Sequence, residues 1–506
     1  MKVLLIAPKV QFNIDTPPMP LGLMAIGTYL KRIGHDVKIF NRSMQSVSLN
    51  SLYNDFLPDI IGVTVISTRM LKDAIEVSKF FKKKGVPVAW GGIFASGIPD
   101  VILKEDFVDY VSFGEGEKTW EDLLETIEHQ KDLSSVLGLA YKENGQFVIN
   151  QKREFLLPGE IAQIDYSLID VDEYTNDYGE DIGRKMIWLY TAKGCPFQCT
   201  FCYNKAFNDC KYRRRPTESY MQEIKYLIEK TSVDSIFFAD EIWCYSKKDL
   251  YSRCDEIKKS GINFTWGCFM NIGLLDREDY EYMYACGCRL IYFGIESGSQ
   301  NILDRVKKPI KIDQAVAEIK NCFDSGILPF VSFIIGFPDE TEEDLKKTAK
   351  MLEEVSFYGK LFCYFYIPYV GSELFNDLIK NGRLKKIQTL DDVNMKFPFN
   401  TIIRDSNKNL SKVPTKDLNL IYSYSLLWSF YNKPHLRDST NLVAATVKGM
   451  REFLEHNNGG SYDSKKIFSF LFGVLYTYVM AVFRVIIYRK TAKKYNLKIK
   501  RKQSIK

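Results

Sequence analysis

The sequence predicts an α/β protein of two successive units, a doubly wound parallel sheet and then a partial six-fold β/α barrel, followed by a mostly helical C-terminal region. Three observations predict it. Apolar runs of strand length alternate with stretches of helical period from residue 2 to about residue 128, the alternation resumes at Lys185 with six further strand candidates, and it stops after about Gly382. Strands alternating with amphipathic helices imply parallel sheets covered on both faces. With 506 residues the chain has room for about three domains, and its 46% hydrophobic content is that of an ordinary globular protein.

Charge and cysteine usage narrow the function classes. The formal net charge is +6, yet residues 464–506 hold twelve Lys and Arg and no Asp or Glu, so the rest of the chain is mildly acidic. A nucleic-acid-binding face needs a concentrated basic surface, so no nucleic-acid partner is expected. Outside one loop the eleven cysteines have no framework-like spacing, and Met1-Lys2-Val3-Leu4 opens a strand instead of a signal peptide. A reducing, cytoplasmic location follows.

In chain order, residues 2–7 are a strand, 20–31 a helix, 36–40 and 60–66 strands, 70–84 a helix, and 87–90 a strand ending in Gly91-Gly92. Ligands of such sheets lie beyond the carboxyl ends of the strands. The loops there are Ala7-Pro8-Lys9, Val65-Ile66-Ser67-Thr68, Gly91-Gly92-Ile93 and Phe113-Gly114-Glu115-Gly116-Glu117, several of them small enough to admit a close-lying ligand. Composition leaves a nucleotide, a flavin or no ligand equally open. Residues 118–128 are helical, and 137–141 and 146–151 flank Asn144-Gly145 as a tight hairpin. The hairpin and the polar stretch after it form a linker over 136–184, separating a first domain (1–135) from the second (185–382) and from the C-terminal region (383–506).

The second unit opens on Gly194-Cys195-Pro196-Phe197-Gln198-Cys199-Thr200-Phe201-Cys202-Tyr203, a CxxxCxxC loop. Iron-sulfur clusters are held by thiolates, usually four, so three cysteines invite a four-iron cluster with one iron left open for a non-protein ligand. A structural zinc site would need a fourth ligand. Cys210 is the only nearby candidate, and His35, His129, His435 and His456 lie far off in sequence. With its cysteine spacing and Phe201 before the last cysteine, the loop resembles the radical S-adenosylmethionine (SAM) superfamily. The resemblance implies that Cys195, Cys199 and Cys202 hold a four-iron four-sulfur cluster whose open iron binds SAM.

The first domain extends the resemblance. Its Pro20-Leu21-Gly22-Leu23 helix start, Gly91-Gly92 and Gly114-Glu115-Gly116-Glu117 are similar to the cobalamin-binding domain preceding the cluster domain in one radical SAM class, and imply cobalamin contacts at Pro8, Pro20, Gly22, Ser67, Gly91, Gly92, Gly114, Glu115, Gly116 and Glu117. The DxHxxG signature that supplies a lower ligand to cobalt is absent. His35 sits in a helix-to-strand turn, so cobalamin here is expected to lack a protein imidazole.

The six strand candidates of the second unit are 186–191, 235–239, 263–269, 290–294, 329–335 and 361–367, with helices at 218–229, 248–259, 314–325 and 341–355 between them. That count fits the open β/α barrel for which this superfamily is known, and the cluster loop follows the first strand, where such barrels carry their chemistry. Ala239-Asp240-Glu241, Gly294-Ile295-Glu296-Ser297-Gly298, Gly336-Phe337-Pro338-Asp339-Glu340-Thr341 and Tyr369-Val370-Gly371-Ser372 end other strands. The resemblance implies SAM contacts at Phe201, Glu296, Ser297 and Gly336. From the residues alone, Glu296 equally suits a helix cap, and Asp339-Glu340-Thr341 a helix start. The third strand ends in Asn271 where many relatives carry an arginine. Cys210, Cys244, Cys254, Cys268, Cys286, Cys288, Cys322 and Cys363 read as small apolar residues.

Taken together, the resemblance implies a radical SAM enzyme that cleaves SAM to a 5′-deoxyadenosyl radical and, with cobalamin, methylates an unactivated carbon. Cyclisation or rearrangement is the alternative, and a non-catalytic zinc-stabilised binding protein the alternative of another class. Its partners would be a small-molecule substrate, hydrophobic and lipid-like or another natural product, and a low-potential electron donor such as flavodoxin or ferredoxin. Residues 414–456 read as aromatic-rich helices. Residues 467–483 are seventeen without a charge, short of the roughly twenty a spanning helix wants, and precede the basic tail. Length and charge favour a helix on the inner membrane face over a buried one or a spanning one.

Overall fold

The structure, a computed structural model, describes residues 1–10, 19–393 and 409–431. Its first unit is a 7-stranded sheet in the order β2–β1–β3–β4–β5–β6–β7, with β1 Lys2–Ala7, β2 Asp36–Asn41, β3 Ile60–Thr64, β4 Val88–Gly91, β5 Tyr110–Ser112, β6 Leu139–Glu143 and β7 Gln146–Ile149. The five strands β1 to β5 run parallel, and β6 and β7 add to them antiparallel. Strand β1 shows why both faces are covered: Val3, Leu5 and Ala7 enter one core and Leu4 and Ile6 the other. A strand whose two alternating faces are both apolar is stable only between two layers. The β1/β3 neighbourhood is the point where strand order reverses, the usual ligand position in such sheets.

One expectation is corrected here. The hairpin assigned to the linker is the outer edge of this sheet, because β6 pairs with β5, a strand of three residues too short to show a period. Its turn has Asn144 at φ 49° and Gly145 at φ 77°, the left-handed pair a two-residue hairpin requires. Residues 152–184 then cross between the units as short turns, and Leu156, Ile161, Ile164, Tyr166, Val171 and Tyr174 are buried in a core common to both.

The second unit is a 6-stranded parallel sheet in the order β15–β14–β13–β12–β11–β8, with β8 Met186–Leu189, then a two-stranded ribbon of β9 Ala192–Lys193 and β10 Arg213–Arg214, then β11 Ser235–Phe238, β12 Thr265–Met270, β13 Cys288–Glu296, β14 Leu328–Ile335 and β15 Lys360–Phe365. Neighbours in space follow the chain, as in a β/α barrel left open between its first and last strands. Aromatic rings fill the interior at the amino end, Phe237 against Phe269 at 4.9 Å and Tyr292 against Phe330 at 4.7 Å. Tyr178 from the crossing segment lies beneath them, 6.3 Å from Phe330. The base is thus packed and the carboxyl ends are left for chemistry.

Helix Thr415–Tyr431 lies against β15, with Leu418 and Ile421 buried and Tyr422 4.8 Å from Phe365. The apolar stretch 467–483 and the basic tail lie outside the described residues. Among the described residues, no helix is long and apolar enough to cross a membrane.

Candidate active site

The cluster loop leaves the barrel through β8 and β9, and buried carboxylates fix its start. Asp240, fully buried after β11, accepts the Thr191 and Ala192 amides at 2.5 and 2.9 Å and the Thr191 hydroxyl at 2.5 Å. Burial pushes its carboxyl up to about 6, against the opposing pull of Arg253. Glu241 accepts the Gly194 amide at 3.0 Å, Asn208 Nδ2 at 3.2 Å and the Tyr203 hydroxyl at 3.4 Å. Gly194 has φ 81°, and a Cβ there would meet the Lys211 carbonyl at 2.1 Å, so only glycine fits.

Within the loop Asn204 acts as an internal strut. Its Oδ1 accepts the Cys195 amide at 3.0 Å, and its Nδ2 donates to the Cys195 and Phe197 carbonyls at 2.6 and 3.3 Å. The Cys202 amide donates to the Cys199 carbonyl at 3.1 Å. These bonds leave all three thiols unpaired with one another and half-buried. Burial pushes the Cys195 thiol up to about 12 and Cys202 to about 11, and raises Cys199. Ligation needs thiolates, so the loop suits a strongly positive group that supplies that charge.

Opposite the cysteines, β13 bulges where its register against β14 shifts between Gly294 and Glu296, and Glu296 takes φ 71°. A bulge re-aims the next side chain. Glu296 accepts Lys308 Nζ at 3.2 Å, and burial, which alone would lower the Lys308 ammonium, is outweighed by Glu296 and the nearby thiols. Lys308 rides on a strap tied to the cluster loop, since the Thr200 amide donates to the Val306 carbonyl at 2.9 Å. Phe201 meets Phe337 edge-on at 5.6 Å, which brings the loop after β14 beside the cluster loop. There Gly336, at φ 83°, donates its amide to Glu340 Oε2 at 2.5 Å. Among the described residues, the buried Asn271 Oδ1 at the end of β12 has no hydrogen-bond partner, an acceptor at the barrel mouth suited to a ligand's donor.

Ser297 does not join this group. Its hydroxyl is 3.2 Å from that of Thr348, and the Gly298 amide donates to the same Thr348 oxygen at 3.0 Å, so Ser297 fastens the strand end to helix Glu342–Val355.

In the first unit, Pro8, Ser67, Gly91, Gly92 and Gly114 all lie at the carboxyl edge of the sheet, and Pro20 and Gly22 at the start of helix Leu21–Arg32. A Cβ on Gly92 would meet the Val65 carbonyl at 2.8 Å, and the buried Ser112 hydroxyl has no partner among the described residues. Gly92 is held to this close packing, whereas a Cβ on Gly114 or Gly22 would meet nothing within 4 Å, so this edge leaves room beside bare backbone, and it fits cobalamin. Gly116 has a different duty, because its Cβ would strike Ile26 at 2.7 Å. The carboxylates of Glu115 and Glu117 are taken by Arg213 and Lys193 from the barrel's ribbon. His35 sits at the opposite, amino edge, within 3.1 Å of the N-terminal amine.

The two carboxyl edges face each other. Helix Ile93–Gly97, just after Gly92, contacts helix Asn204–Asn208, just after Cys202, and a Cβ on Gly97 would lie 2.9 Å from Val370 in the loop after β15. Sequence reasoning missed Asn204, Lys308 and the bracing role of Glu241, and only the carboxylate at a strand end signalled the last.

Comparison with known proteins agrees with this geometry. Residues 189–352 match the Radical SAM superfamily and residues 10–124 the B12 binding domain. An uncharacterized methyltransferase of Pyrococcus horikoshii is 31% identical over 410 residues, 78% of this chain and 87% of that protein. The anaerobic magnesium-protoporphyrin IX monomethyl ester cyclase of Rubrivivax gelatinosus is 27% identical, over 71% of this chain and 66% of its own length. Among solved structures, the methyltransferase TsrM of Kitasatospora setae with cobalamin and a [4Fe-4S] cluster has a TM-score of 0.62 at 18% identity, covering 76% of each chain. The cobalamin-dependent radical enzyme OxsB has a TM-score of 0.62 at 17% identity, covering 98% of this chain and 83% of its own. These matches set aside the zinc-stabilised binding protein. With both domain matches in one chain and a relative of this extent, the protein belongs to the cobalamin-dependent radical SAM enzymes, a family of methyltransferases and cyclases that use a four-iron four-sulfur cluster, SAM and cobalamin.

Proposed function

We propose that this enzyme methylates an unactivated carbon of a small, hydrophobic substrate held between its two carboxyl edges. The observation that carries it is the apposition of helix Ile93–Gly97 to helix Asn204–Asn208, which turns the cobalamin cradle toward the cluster loop. When bound, the cofactors supply reductive cleavage of SAM and transfer of a methyl group to a carbon radical.

The chain's residues bind and orient. Cys195, Cys199 and Cys202 would hold the cluster, with Asn204 fixing their spacing. Glu296 and Lys308 would receive the charged amino-acid end of SAM, Asn271 a hydrogen-bond donor, and the Gly336 loop with Phe201 the adenine side. Gly92, Gly114 and Ser112 would line the corrinoid face. Tyr203 and Tyr369, rings 6.4 Å apart between the edges, supply apolar wall and exclude water. Cyclisation is the second reading, favoured by the resemblance to the Rubrivivax cyclase.

Anaerobic reconstitution with cobalamin and methyl-labelled SAM against a cell extract tests both. Label in a small-molecule product supports methylation, and a new unlabelled product formed with 5′-deoxyadenosine supports cyclisation. Cys199→Ala should abolish 5′-deoxyadenosine formation, and undiminished formation would refute the cluster assignment.

A further inference from the structure

We propose that Lys193 and Glu117 form a positioning pair that sets the cluster loop against the cobalamin-binding edge. Lys193 Nζ donates to Glu117 Oε1 at 2.6 Å and lies 3.2 Å from Glu115 Oε1. Glu115 in turn accepts Arg213 Nη1 on both oxygens at 2.9 Å and the Leu156 amide at 2.8 Å. Both cations come from one place, since Lys193 and Arg213 are paired across the β9–β10 ribbon. Both anions come from the segment after β5, Glu115 from the loop and Glu117 from the first position of the helix Glu117–Glu128. A small charge cluster therefore joins the segment after β5, the last parallel strand of the first sheet, to the residue immediately before Gly194-Cys195.

Neither side of this junction can shift freely. Gly116, between the two glutamates, is wedged where a Cβ would strike Ile26 at 2.7 Å, and Gly194 where a Cβ would strike the Lys211 carbonyl at 2.1 Å. The carboxylates are almost without solvent, Glu115 at 8% and Glu117 at 5% exposure. Buried ion pairs often add no more stability than a well-packed apolar pair, whereas their directionality fixes register. A role in geometry accounts for charges at this junction where stability alone does not.

The inference rests on the two-cofactor reading, and its test separates the two. Each protein is reconstituted with cluster and cobalamin, both are quantified, and the microwave-power saturation of cob(II)alamin is recorded with the cluster oxidised and reduced. In the wild type the reduced cluster should relax the cob(II)alamin signal. Lys193→Met, loaded to the same content, should lose at least threefold in half-saturation power, Lys193→Arg should recover it, and Glu117→Gln should behave as Lys193→Met does. Wild-type relaxation in both loaded Met and Gln variants overturns the proposal. If Lys193→Met fails to take up cluster, Glu117→Gln decides alone, and its wild-type relaxation overturns the proposal by confining Lys193 to local support. A wild-type protein that takes up no corrinoid overturns the underlying reading instead.

Discussion

Glu340 shows how far one side chain departs from its solution behaviour. It is fully buried, it accepts the Gly336 amide, its other oxygen has no partner among the described residues, and burial pushes its carboxyl up to about 8. Between its ordinary pKa of 4.5 and about 8 the folded chain therefore holds a proton that the unfolded chain releases. Stability then falls as pH rises across that window and levels off above it. Glu340→Gln keeps an acceptor for Gly336 and removes the titration. Chemical denaturation at pH 5.5 and 7.5 should show the wild type losing about 2 kcal/mol relative to Glu340→Gln over that interval. Lys308 makes the second residue-scale prediction. Lys308→Met leaves Glu296 buried without its cation and removes the positive charge facing the cysteines. SAM binding measured at equilibrium should weaken about tenfold, or about 1.4 kcal/mol, with Lys308→Arg retaining most of the affinity.

Elements place these residues through local exceptions to regular geometry. The bulge in β13 turns Glu296 toward Lys308, while Ser297, one residue on, faces helix Glu342–Val355. Two neighbours predicted to share a role are divided by one irregular residue. The β9–β10 ribbon works in the same way for the cluster loop, with the left-handed Gly194 as its corner. Gly194→Ala would add a left-handed penalty of about 1–2 kcal/mol and drive a Cβ into the Lys211 carbonyl. The ribbon must open to accept it. Iron bound after anaerobic reconstitution should fall by more than half, while corrinoid uptake by the first sheet stays at the wild-type level.

Across the whole molecule, the two units are joined by buried charge as well as by apolar core. Arg213→Met would leave Glu115 buried with only Lys193 beside it, and breaking such a pair typically costs about 3–5 kcal/mol. Urea denaturation should show a loss of that order, with Glu115→Gln added to Arg213→Met recovering most of it. Much of the fold was legible beforehand because its signals are local: the apolar period of β1, the Asn144-Gly145 turn and the three cysteines within one loop are each read from adjacent residues. Strand β5, at three residues, carried no period to read. The engagement of Glu115 and Glu117 was not legible either. A Gly-Glu-Gly-Glu motif states which chemistry is available, and Arg213 lies 98 residues from Glu115. Sequence alone thus determined the two α/β units and the three cysteines gathered in one loop after the first strand of the second. The tertiary structure decided which edge faces which, which carboxylates brace the loops and which side chains remain unpartnered at the barrel mouth. The physical reason is that local pattern dictates the face a residue presents, whereas its partner is set by packing between segments distant in the chain.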